Sequence, residues 1–303
     1  MTLKSAASAL LAALLAGSAC RQPSRAATAR ADSVEVTSRV AHLAGALALP
    51  DSGTRRGAVL ARWVLAQDLS EISGLALTAD GRLLTHEDNT GRVFEVDYRR
   101  GELVKEFSIG AQMVRADFEG IAAVDDTLFL LASDGMLYEF QEGENGDHVA
   151  YTFHDPGLKH ACEFEGVAFD RAIGALLLAC KNVRTAGPLR DSLVIYRWVL
   201  PGGGGHRPSR LTVPLAQVIG ANGWKGLHPS DITIDPFSGN YVLVAAEERA
   251  LIEITPAGAV VFSRALPAGI ARAEGVAITR DSILIISSEA GQGPATISLY
   301  RWP

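Results

Sequence analysis

Five short segments of one pattern recur along the 303-residue chain. They are Glu71-Ile-Ser-Gly-Leu-Ala-Leu, Asp117-Phe-Glu-Gly-Ile-Ala-Ala, Glu163-Phe-Glu-Gly-Val-Ala-Phe, His228-Pro-Ser-Asp-Ile-Thr-Ile and Arg272-Ala-Glu-Gly-Val-Ala-Ile. Aligned on their third residue, they set Ser73, Glu119, Glu165, Ser230 and Glu274 in register, at intervals of 46, 46, 65 and 44 residues. A period near ~45 residues, each holding several short strands, points to a β-propeller.

The rest of each unit fits. After each heptad comes a turn and a continuous apolar run, such as Thr127 to Ala132 or Tyr241 to Ala245. A third run and, in four units, a fourth follow, bounded by Gly, Pro, Asn and Asp as strands should be. The fifth unit stops one strand short at Pro303, and Val59 to Leu65 supplies the missing one from the front. Ring closure of this kind avoids an open sheet edge. The expectation is an all-β propeller of five blades. A sixth is the alternative offered by the 65-residue interval, although Gly202 to Gly205 and Ala221 to Gly226 read as loop insertions.

Composition agrees. With 48% hydrophobic residues, 20% charged and 30 Gly, the chain can build a large core, which excludes a disordered chain or a disulfide-stapled miniprotein. A net charge of −6 offers nucleic acid no electrostatic footprint. That charge is uneven. Residues 21–56 carry six Arg against three acids, so residues 57–303 hold a net −10.

Residues 1–19 read as a lipoprotein-type signal: Lys4, an apolar stretch from Ala6 to Ala16, then small residues before Cys20. Cys20 is the expected lipid attachment point, tethering a monomeric protein to a membrane surface in the cell envelope, on the periplasmic side in a Gram-negative cell. Residues 20–56 read as a flexible tether, with a short helix at Val40 to Leu49, and residues 57–303 as the propeller. With Cys20 assigned to lipid, Cys162 and Cys180 remain. They fall opposite one another on the first hairpin of blade three, where a disulfide is expected and two buried thiols are the alternative.

Propeller geometry brings the start of each first strand and the end of each second strand to one face, around the channel. Carboxylates recur there, at Glu119, Glu165 and Glu274 in the repeat and at Glu247, Glu248 and Glu289 after second strands. Asp231 stands where the other units have Gly. Crowded carboxylates raise one another's pKa unless a cation joins them, and oxygen donors from several blades suit Ca²⁺, which takes ~6–8 of them. Glu119, Glu165, Asp231 and Glu274 are therefore the expected metal ligands, with Trp224, His228, Arg115 and Glu247 as ligand-binding neighbours. The alternative is that the Glu-Gly pairs only cap backbone amides between blades.

The run Ser70-Glu-Ile-Ser-Gly-Leu-Ala-Leu, the two Phe-Glu-Gly repeats and Asp231-Ile-Thr-Ile-Asp-Pro resemble the SdiA-regulated family of exported propellers, over roughly Leu65 to Pro303. Esterase-like and phytase-like propellers are a more distant resemblance. The family resemblance implies a secreted or envelope propeller that binds calcium, with no established catalytic activity. Three functions remain open at this point. They are a binding propeller with a cation or small ligand at its mouth, a metal-dependent hydrolase of phosphoesters or lactones, and a protein-interaction scaffold.

Overall fold

The computed structural model describes residues 25–49, 59–200 and 207–302. Five sheets form five blades in a ring. Their inner strands are Ile72–Leu77, Phe118–Val124, Cys162–Asp170, Asp231–Ile234 and Ala273–Ile278, the five repeat segments. Each blade runs outward through antiparallel neighbours. The last blade is completed from the front of the chain, where Val59–Val64 pairs antiparallel with Thr296–Arg301 and sets Trp63 opposite Ile297. The 65-residue interval holds no sixth blade. Among the described residues, what lengthens it beyond the strands of blade three is the short helix Leu215–Ile219 and the loop to Ser230.

The core explains why the second strands read as unbroken apolar runs. It consists of five clusters, one between each pair of successive blades. In blade four, Tyr241 and Leu243 face blade three, while Val242 and Val244 face blade five. In blade one, Leu83 packs toward blade five and Leu84 toward blade two. Both faces of each sheet are covered, so the pattern is continuous instead of alternating.

The outer edge of blade two differs from the sequence expectation. In the sequence, Val149 to Phe153 reads as one fourth strand of that blade. Instead His148–Val149 pairs in parallel with Ser108 and Ile109 on blade one, and only Tyr151–His154 joins blade two. Ser108 Oγ lies 2.9 Å from His148 Nδ1, and the Ser108 amide donates to the Asp147 carbonyl. The bridging segment thereby covers an edge that would expose unpaired backbone.

Within the segment expected as a tether, Arg25–Ala48 forms a helix. From Arg39 onward it belongs with the propeller: Leu43 is buried in the cluster between blades five and one. Arg301 donates from Nη2 to the carbonyls of Ala46, Leu47 and Leu49, satisfying acceptors a helix end leaves open. No helix among the described residues is long and apolar enough to cross a membrane. Cys20 and the signal segment lie outside the described residues.

Candidate functional site at the acidic mouth

The channel mouth is built by a local irregularity repeated in four blades. In blades one, two, three and five the pairing of the inner strand slips between Ile72 and Leu75, Phe118 and Gly120, Phe164 and Val167, and Ala273 and Gly275. The slips span Ser73, Glu119, Glu165 and Glu274. A bulge leaves a residue out of the ladder and re-aims its side chain, which is how three glutamates come to serve the mouth.

The glycine after each of these residues lets the inner strands close on one another. A Cβ on Gly74 would lie 3.0 Å from the Gly120 Cα, one on Gly120 2.9 Å from the Val167 amide nitrogen, and one on Gly166 2.6 Å from the Asp231 Cα. On Gly275 it would lie 2.8 Å from the Ser73 carbonyl oxygen. Blade four alone carries a side chain at this position. Asp231 is fully buried, and its Oδ2 accepts the amides of Val276 at 2.8 Å and Leu75 at 3.3 Å, from blades five and one. It thus ties three blades together at the axis. Its Oδ1 has no partner, and neither does Nε2 of buried His86.

Electrostatics follow from this crowding. Burial, then Glu165 and Asp117, push Glu119 up to about 9, with Lys181 opposing. Burial raises Glu165 to about 7 against its ion pair with Lys181. Glu274 is raised by burial and Glu289, and Asp231 well above its ordinary value by burial, against three backbone amides. Arg272 holds Glu289 at 2.5 Å and lies 3.7 Å from Glu274. Burial pushes His86 down to about 4, so it is neutral.

Cys162 and Cys180 are joined by a disulfide, with Cα atoms 5.6 Å apart. The bond ties the start of the inner strand of blade three to its second strand, next to Glu163, Glu165 and Lys181. The sequence places Lys181 near the mouth but gives it no ligand role. Its sequence signal is its place directly after Cys180, at the end of a second strand.

The expected residues divide between two places. Trp224, His228 and Glu247 line one pocket of about 740 Å³, together with Lys181, Arg190 and Glu248. There His228 Nδ1 lies 2.8 Å from Glu248 Oε1 and 3.3 Å from Glu247 Oε2, and its amide donates to Glu248 Oε2 at 3.1 Å. Among the described residues, these three form the only group whose metal-ligating atoms all lie within 4.8 Å of one another. Glu119, Glu165, Asp231 and Glu274 share a field without meeting that spacing. Arg115 is exposed and stands outside the pocket.

The SdiA-regulated family model matches residues 54–294, from the closing strand to just before Thr296–Arg301, the third strand of the fifth blade. The chain belongs to the SdiA-regulated family. No curated protein matches it. Among solved structures, this SdiA-regulated propeller is similar to the PQQ-bound aldose sugar dehydrogenase of Streptomyces coelicolor. That match has 16% identity and a TM-score of 0.52, and covers 80% of this chain and 98% of that one. The glutaminyl cyclase of Myxococcus xanthus matches at 13% identity and a TM-score of 0.51, covering 80% and 94%. At these identities the likeness is one of fold.

Proposed function

We propose that this protein is an exported, lipid-anchored propeller that binds a cation, Ca²⁺ foremost, at its acidic mouth. The observation that carries the reading is the trio of bulge-borne glutamates from three blades, two of them holding protons near neutral pH. Such groups exchange a proton for a metal ion at little electrostatic cost. The donors fit a hard cation: they are carboxylate oxygens, and Asp231 Oδ1 is buried nearby without a partner. Among the described residues, no three of these acids bring ligand atoms within 4.8 Å of one another, so an ion held there would need water for the rest of its shell. The test is thermal melting of the full chain in Ca²⁺, in Mg²⁺ and in chelator. A Ca²⁺-dependent rise in Tm that vanishes in Glu165→Gln supports the reading. Equal melting in all three conditions contradicts it.

A second reading, a metal-dependent hydrolase of phosphoesters or lactones, is favoured by the His228, Glu247 and Glu248 grouping. One nitrogen and two oxygen donors suit a transition metal better than Ca²⁺, and Lys181, Arg190 and Lys225 in the same pocket would meet an anionic substrate. Turnover of phosphoester or lactone panels with Mn²⁺ or Zn²⁺, lost in Glu248→Gln, would establish it. Inactivity across both panels would remove it.

A further inference from the structure

The opposite end of the channel has a different chemistry. The seventh residues of the five repeat segments, Leu77, Ala123, Phe169, Ile234 and Ile278, all line one cavity of about 970 Å³. Each is the last or next-to-last residue of its inner strand. The fifth residues, such as Ile121 and Val276, are sealed between blades, whereas four of the seventh residues are partly exposed. The five strands thus end in an apolar floor that the fold leaves uncovered, within the ~300–1,000 Å³ range of small-molecule sites.

The rim of this cavity is charged. Arg82, Arg99, Arg100 and Arg171 line it, and each is paired with an aspartate: Asp80, Asp281, Asp97 and Asp125 respectively. Arg280, on the turn after Ile278, is the exception. It is exposed and has no hydrogen bond or ion pair among the described residues. One uncommitted guanidinium above an apolar floor is complementary to one anionic head on an apolar body.

We propose that this second mouth binds a small apolar monocarboxylate, its body on the Phe169 and Ile234 floor and its carboxylate on Arg280. The site is independent of any cation at the acidic mouth. The test uses the full chain and the fluorescent probe 1-anilinonaphthalene-8-sulfonate, an apolar monoanion, with decanoate and the neutral decanol as competitors. Saturable binding is expected at one site per chain, displaced by decanoate about tenfold better than by decanol, since a charge-assisted hydrogen bond distinguishes them. Arg280→Gln should weaken the probe by about tenfold, and Phe169→Ser should do the same through lost apolar contact. Arg280 is exposed, so that variant folds even if Phe169→Ser does not. Glu119→Gln, at the far end, should leave probe binding unchanged. Absence of saturable binding overturns the proposal. So does a change of less than about twofold in Arg280→Gln, or equal displacement by decanoate and decanol.

Discussion

The two ends of the channel are made by the same five strands and differ through two positions of one seven-residue motif. Position three falls on bulges and delivers Glu119, Glu165 and Glu274 to one mouth; position seven delivers Leu77, Phe169 and Ile234 to the other. At the first end the strands are drawn so close that four of the five blades carry glycine there, and charge is held in a buried setting. At the second they splay into turns, and charge sits on the rim in exposed pairs. The contrast teaches that tight closure at one end creates the perturbed carboxylates, while divergence at the other creates an open apolar bowl.

Breaking the closure should have the largest effect. Gly166 has φ +88°, and a Cβ there would meet the Asp231 backbone at 2.6 Å, so Gly166→Ala should cost roughly 3–5 kcal/mol in denaturant unfolding. At the open end, Phe169→Leu should cost only about 1 kcal/mol, because the side chain already borders a cavity. Asp231→Ala strips the Leu75 and Val276 amides of their acceptor and should cost about 2–4 kcal/mol, whereas Asp231→Asn keeps one and should cost less than half as much. Losing the disulfide in the Cys162→Ala, Cys180→Ala double variant should cost about 2–4 kcal/mol and loosen the Lys181 pair with Glu165. Removing a rim pair at the open end, with Arg171→Ala, should change stability by less than about 1 kcal/mol.

Acidity sharpens the comparison further. Glu119 and Glu165 bind protons more tightly in the fold, at about 9 and about 7, than at the ordinary 4.5. Their stabilisation is complete below the ordinary value and is lost as pH rises through 7 and toward 9. Metal-free protein should therefore melt at progressively lower temperature across that window, and Glu119→Gln should flatten the decline. A Tm that rises over the same window in metal-free protein would contradict the raised values.

Much of the fold was legible because the propeller buries both faces of every blade. Tyr241 to Ala245 had to be an unbroken apolar strand, and Val59 to Val64 was the available partner for Thr296 to Arg301. Of the helix Arg25–Ala48, the part from Val40 was legible as a short helix, but its start at Arg25 and the docking of its end were not. Its anchoring depends on Leu43 and on carbonyls captured by Arg301, more than 250 residues away. Likewise His148–Val149 reads locally as part of blade two and is claimed by blade one through Ser108. At the site, the register of Glu119, Glu165 and Glu274 was visible in the repeat. The role of Asp231 as an acceptor for amides of two other blades was not, because such contacts leave no periodic trace. The sequence also drew attention to Arg115, whose side chain stands clear of the pocket that holds Trp224, His228 and Glu247.

In the proposed function, the acidic mouth holds protons that a cation displaces. Calorimetry of Ca²⁺ binding at pH 7, in buffers of different ionisation enthalpy, measures that exchange directly. Release of about one proton per bound ion is expected, reduced in Glu119→Gln. Binding without proton release, or no binding heat in any buffer, would contradict the account.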